Sequence, residues 1–229
     1  MADRMTLERG LFRDRIEAGR LLAECLAQYK GKDTVVLGIP RGGVPVAAEV
    51  ARGLGAQLDV IVARKLGSPI SPELAIGAVS ANGGRFLNED VIRDLRVSEV
   101  YLRRVTAEQM DEARRREEKF RGGAPPPHLK DRVVIVVDDG LATGATMRAA
   151  LRSVRKAQPL KLIAAIPVGS REACAALRRE VDEVICPHQP DPFWAVGYFY
   201  IEFSPPQDSE VEQLLREARQ RQAVEAAST

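Results

Sequence analysis

Between Val133 and Thr146 the chain reads VVIVVDDGLATGAT. A run of apolar residues ends in two carboxylates, Asp138 and Asp139. A loop containing Gly140 and Gly144 follows, with hydroxyls at Thr143 and Thr146, and helix-forming residues begin at Ala145. These residue types define a chemistry. A glycine-rich turn into a helix presents unpaired backbone N–H groups to an anion, and two threonines add hydroxyl donors; together they suit a phosphate monoester. The carboxylates repel phosphate, but they accept hydrogen bonds from vicinal hydroxyls or bind a hard divalent cation, directly or through water. A ligand with a phosphate at one end and a diol at the other satisfies both halves, as a ribose 5-phosphate unit does.

Competing motifs are absent. Gly38 to Gly43 has the glycine spacing of a nucleotide-binding P-loop, but Val44 and Pro45 stand where lysine and a hydroxyl residue are required. No GxGxxG dinucleotide fingerprint occurs. His128 and His188 match no metal-ligand spacing, and Cys25, Cys174 and Cys186 form no CxxC pair.

The elements that must position the loop alternate between strand and helix. Amphipathic spacing predicts a helix over 11–30, through Leu11, Ile16, Leu21, Leu22, Cys25 and Leu26. Short β-branched or apolar runs predict strands at 34–39, 58–63, 74–79, 133–137, 160–166 and 181–186, with helices at 44–54, 145–156 and 171–179. This order implies an α/β fold, a mainly parallel twisted sheet with helices on both faces. In such sheets ligands bind beyond the carboxyl ends of the strands, which is where residues 138–146 fall. The stretch 88–127 is long, charged and helical in composition, with Ser98 as an N-cap, and reads as a solvated helical insertion closed by Gly122 to Pro127. Residues 208–223 read as a polar tail helix.

VIVVDDGLATGAT resembles the signature of type I phosphoribosyltransferases: apolar residues, two acids, and a loop ending Thr-Gly-x-Thr/Ser. The resemblance covers 34–186 and makes 1–229 a single phosphoribosyltransferase domain with a C-terminal hood and tail over 187–229. It implies 5-phosphoribosyl-1-pyrophosphate (PRPP) and Mg²⁺ as ligands and a nitrogenous base as acceptor. Carried over, Asp138 and Asp139 bind the ribose hydroxyls and the metal, and Ala142, Thr143, Gly144, Ala145 and Thr146 bind the 5-phosphate. The loop Pro40-Arg41-Gly42-Gly43, in which family members often carry a non-proline cis peptide, would contact pyrophosphate through Arg41, Gly42 and Gly43. Arg64 and Lys65 resemble a pyrophosphate-contacting pair that ends the second strand, with a closing loop over Gly67 to Pro72. Arg41, Lys65, Asp138 and Asp139 are the catalytic candidates. The aromatic cluster PHQPDPFWAVGYFYIEFS offers Phe193 and Trp194 for stacking on the acceptor. In hypoxanthine/guanine-type members an acid assists proton transfer from within the loop; Ala142 stands at that position, as a small residue does in adenine- and uracil-type enzymes. Some relatives of this fold bind PRPP as regulators with little or no catalysis, which is the alternative reading.

The bulk composition agrees with a folded, soluble-type chain: 45% of residues are hydrophobic, 29% are charged and the formal net charge is +2. That charge is too near neutral for a protein coating a nucleic acid backbone, so no DNA partner is expected. No apolar run reaches the roughly 18–20 residues of a membrane span. The charged N-terminus and the odd number of cysteines fit a cytoplasmic setting. A homodimer is compatible with all of this.

Overall fold

The computed structural model describes residues 10–227. In chain order its elements are α1 (Arg15–Cys25), β1 (Thr34–Gly38), α2 (Gly43–Leu54), β2 (Gln57–Val60), β3 (Ala63–Gly67), β4 (Ala75–Ser80), β5 (Arg85–Leu87), α3 (Glu89–Asp94), α4 (Glu99–Arg121), β6 (Val133–Val137), α5 (Ala145–Lys156), β7 (Lys161–Ala165), α6 (Arg171–Leu177), β8 (Glu183–Ile185) and α7 (Asp208–Ala227). Single 3₁₀ turns occupy Ala27–Tyr29 and Val196–Phe199.

The apolar runs form the middle layer because they are apolar on both sides. Every residue of β1 and β6 is buried. With period-two alternation, Val36, Ile135, Val137 and Ile163 pack against Leu22 of α1, Val50 and Leu54 of α2 and Leu215 of α7. Val35, Leu37, Val134, Val136 and Leu162 face Met147 and Leu151 of α5 and Leu177 of α6. The five strands pair in parallel in the order β2-β1-β6-β7-β8. The sheet is thus parallel and covered by helices on both faces, as the strand–helix alternation requires.

A second sheet departs from that plan. The stretch 58–63, read as one strand, breaks after Val60. There the Ile61 N–H donates to the Gly38 carbonyl (3.1 Å) and the Val62 N–H donates to the Glu117 carboxylate (2.8 Å). The chain therefore leaves the parallel sheet at the carboxyl end of β1 and enters β3, which pairs antiparallel with β4, and β4 with the unforeseen β5. This three-stranded sheet lies between helices. Leu66, Ile76 and Val79 pack on Leu102 and Val105 of α4, while Ala78 packs on Ala145 and Ala149 of α5.

The 88–121 stretch is two helices, capped by Asn88 and Ser98 and separated at Arg96, whose φ is +49°. It is not simply solvated: Leu102, Val105, Ala113, Glu117 and Phe120 of α4 are buried. The first helix is shorter than its amphipathic pattern, and its buried stripe is Arg15, Ala18, Gly19 and Leu22, whereas Cys25 is exposed. The tail helix runs on to Ala227.

Candidate functional site

β6 delivers Asp138 and Asp139 to the carboxyl edge of the parallel sheet, and α5 opens behind Gly144, which caps it in the left-handed conformation (φ +75°). The intervening loop is held from one side. Leu141, 2% exposed, donates its N–H to the Val168 carbonyl (3.0 Å) and accepts from the Ser170 N–H (2.9 Å), and the Ser170 hydroxyl donates to the Ala142 carbonyl (2.9 Å). Beyond the Leu141 N–H, these bonds use only carbonyls of the loop and leave its later amides free. Among the described residues, none of the N–H groups of 142–147 donates to a protein acceptor. Six consecutive unpaired donors at a helix N-terminus form an anion cradle. Ala142 and Thr143 are exposed beside it.

The two carboxylates differ in their surroundings. The Asp138 carboxylate accepts from the Asp139 N–H (2.9 Å), and among the described residues no cation forms an ion pair with it. Burial pushes the Asp138 carboxyl well above the usual range, and the adjacent Asp139 charge adds to that. Burial also raises Asp139, but the Arg15 guanidinium opposes it, donating from Nε to Asp139 Oδ2 at 2.8 Å.

The 40–43 loop lies directly on this pair. A Cβ at Gly42 would stand 2.0 Å from Asp139 Oδ2, and one at Gly43 would stand 2.7 Å from the Val137 carbonyl and 2.9 Å from Asp138 Cα. Only glycine permits that approach. The Pro40–Arg41 peptide is cis. The N–H groups of Arg41 and Gly42 donate to no acceptor among the described residues, whereas Gly43 donates to Ile39 (2.9 Å). The Arg41 guanidinium extends toward Asp208 at the start of α7 (3.7 Å), a carboxylate also held by Arg116 (3.1 Å) and Lys119 (2.8 Å). The Lys119 hydrogen bond is the main reason that Asp208 titrates below the ordinary range.

Arg64 and Lys65 do not end the second strand of the main sheet; they lie inside β3. Alternation sends them to opposite faces. Arg64 shares the α4 face with Leu66 and donates to Gln109 (3.1 Å). Lys65 is exposed on the α5 face, paired in register with Ala78, which packs on the first turn of α5. The structure thus brings the 40–43 loop, the acid pair and the 142–147 amides together, puts Lys65 on their side, and sends Arg64 away.

The aromatic segment closes the other flank. Val196 packs onto Gly140, where a Cβ would meet its Cγ1 at 2.3 Å. The buried Tyr200 hydroxyl donates to the Asp139 carbonyl (2.6 Å). Phe193 packs against Phe199 with ring centroids 5.2 Å apart, while Trp194 is 70% exposed. Two site contacts were not foreseen from the sequence, those of Arg15 and Tyr200. Arg15 falls on the observed 15, 18, 19, 22 stripe, so a cation occupies the buried face of the helix.

Residues 13–202 match the family model for the phosphoribosyl transferase domain. The chain belongs to that family. It is 45% identical over 222 residues, 95% of its length, to Rv0571c of Mycobacterium tuberculosis strain H37Rv, a protein provisionally named a phosphoribosyl transferase. The same figures hold for its counterpart MT0597 in strain CDC 1551. The chain spans about half (50%) of the length of these curated relatives. Among solved structures, TT1426 from Thermus thermophilus is 46% identical with a TM-score of 0.76, and the match covers 90% of this chain and 98% of that one. The AQ2163 protein from Aquifex aeolicus shares the fold at 14% identity and a TM-score of 0.50, covering 80% of this chain and 78% of its own.

The family's metal can be tested against these donors. No cluster of three or more metal-ligating side chains exists among the described residues. Two carboxylates, one of them engaged by Arg15, do not make a protein-only cage. They do suit Mg²⁺, which keeps several waters and takes one or two carboxylates together with ligand phosphates.

Proposed function

We propose that this chain transfers the 5-phosphoribosyl group of PRPP to a nitrogenous acceptor, releasing pyrophosphate, with Mg²⁺. The observation that carries this reading is the row of unpaired amides at 142–147, set beside two half-buried carboxylates and roofed by the 40–43 loop.

In this reading the amides of Ala142 to Thr146, with the Thr143 and Thr146 hydroxyls, bind the 5-phosphate. Asp138 and Asp139 accept hydrogen bonds from the ribose diol and so fix the rotation of the ring about its anchored phosphate. The free N–H groups of Arg41 and Gly42, together with Lys65, face the pyrophosphate; the Arg41 guanidinium joins them by turning from Asp208, and Arg64 only by leaving Gln109. The C1–oxygen bond breaks, pyrophosphate departs with the electron pair, and the acceptor nitrogen bonds to C1 from the opposite side and loses its proton. Positioned cations and dipoles stabilise charge on the departing group, and each such contact contributes about 10²–10³ in rate. When bound, Mg²⁺ supplies further neutralisation of that charge, held by Asp138, Asp139 and water. Ala142 offers no proton acceptor, so the acceptor's proton leaves to solvent or to a group outside the loop. Trp194 is free to stack on a planar acceptor, whereas Phe193 is engaged with Phe199.

A panel of nitrogenous bases incubated with PRPP and Mg²⁺, scored for pyrophosphate release, tests the activity. Release with one base supports transfer; tight PRPP binding with no release on any base supports the regulatory alternative. Asp138→Asn with Asp139→Asn should weaken PRPP binding by more than about 100-fold, since each charged hydrogen bond contributes roughly 1.5–3 kcal/mol. Undiminished affinity refutes the site.

A further inference from the structure

We infer that Arg15 is a positioning residue that commits one oxygen of Asp139 to the protein and leaves the other for the ligand's diol, so that the site distinguishes a sugar phosphate from a simple phosphate ester. The inference rests on the reading that the acid pair receives a ribose.

Arg15 is remote in sequence, 124 residues from Asp139, yet its guanidinium is engaged at both ends and on its face. Nε donates to Asp139 Oδ2 at 2.8 Å, Nη1 donates to the Ser204 carbonyl at 2.8 Å, and the flat face lies 4.1 Å from the Phe203 ring centroid. Phe203 is stacked on Tyr200 (4.9 Å), and Tyr200 donates its hydroxyl to the carbonyl of the same Asp139 (2.6 Å). Asp139 is therefore held twice, at its side chain through Arg15 and at its backbone through Tyr200. Gly42 closes the remaining approach to Oδ2, since a Cβ there would lie 2.0 Å from that oxygen and 3.2 Å from Arg15 Nε. Among the described residues no cation pairs with Oδ1 of Asp139; apart from Arg15, the carboxylate has only the Asp138 carboxyl and its own N–H beside it.

Local helix physics does not account for this residue. Arg15 is the first residue of α1, where the helix dipole disfavours a cation, and the N-cap role belongs to Asp14. A solvent-exposed ion pair contributes little and needs neither a stacking plate nor burial. The Arg15 side chain is only 10% exposed. The planar fork, held by a ring below and a carbonyl at one end, fixes the direction from which Asp139 is held. A diol arriving on the amide-anchored phosphate then meets a carboxylate oxygen of fixed position.

The test is calorimetric titration, without Mg²⁺, of three probes: ribose 5-phosphate, propyl phosphate, which lacks the diol, and inorganic phosphate. The wild type should prefer ribose 5-phosphate to propyl phosphate by about tenfold or more, the effect of one well-made hydrogen bond to a carboxylate. Arg15→Met should bring that preference near parity while leaving inorganic phosphate affinity within about twofold. Arg15→Lys, which keeps the charge and loses the fork, should fall between. A preference retained in a folded Arg15→Met protein overturns the inference. So does a parallel loss of affinity for all three probes, which marks a merely structural role. If Arg15→Met does not fold, Phe203→Leu replaces it: removing the plate while keeping the ion pair should lower the preference, and an unchanged preference overturns the inference. Wild-type protein that binds neither ester refutes the functional reading itself, a result distinct from any of these.

Discussion

At the scale of single residues, the site depends on contacts that admit no extra atom. Gly42 is the sharpest case, because its missing Cβ is the space that Asp139 Oδ2 occupies. Gly42→Ala should lower PRPP affinity by about tenfold or more by displacing that carboxylate. The overpacking should cost about 1–3 kcal/mol, on the order of several degrees in Tm for a chain of this length. Titration of PRPP and a thermal melt on the same protein check both. The glycines of the 40–43 loop were legible as places of close backbone approach, but what approaches them was not: the acids follow a strand nearly a hundred residues onward. Arg15 was hidden for a related reason. The apolar stripe of its helix was read from Leu11, Ile16, Leu21, Leu22, Cys25 and Leu26, and the buried cation became visible only once Asp139 lay opposite.

At the scale of elements, the parallel strands were readable because β6 is apolar throughout and β1 is apolar or β-branched apart from its closing glycine, a pattern that suits a strand covered on both faces. The antiparallel sheet was not. β5 is three residues long, and the break after Val60 is set by hydrogen bonds from Ile61 to Gly38 and from Val62 to Glu117, tertiary facts without a local signature. The edge strand β8 shows how side chains tie elements together. Glu183 accepts from Lys161 of β7 (2.6 Å) and from the Tyr29 hydroxyl just beyond α1. The Lys161 hydrogen bond, then that of Tyr29, holds the Glu183 carboxyl below its ordinary range. Because the folded state keeps this proton off more strongly than the unfolded chain does, the stabilisation is complete above the unfolded value of about 4.3 and is lost as pH falls through the lowered folded value. Glu183→Gln should therefore melt below the wild type at pH 7, by on the order of 1 kcal/mol, and the gap should close as pH is lowered from about 5 toward 3. A gap independent of pH over that range contradicts the assignment.

At the scale of the whole molecule, the parallel sheet supplies an edge at which the 40–43 loop, the acid pair and the start of α5 converge, and the smaller sheet, seated between α4 and α5, carries Lys65 toward that edge. The sequence suggested a loop chemistry because its glycines, hydroxyls and carboxylates are written in residue type. It could not disclose that Arg64 turns away to Gln109, because strand alternation matters only once the strand is placed. The central claim is that the amides of 142–147 grip a sugar's terminal phosphate while the acids hold its diol. A crystal structure with PRPP and Mg²⁺ bound tests it most directly. The account predicts the 5-phosphate oxygens within about 3 Å of those nitrogens, and the ribose hydroxyls within the same reach of Asp138 and Asp139. A phosphate seated elsewhere, with the 142–147 amides facing only water, would contradict it.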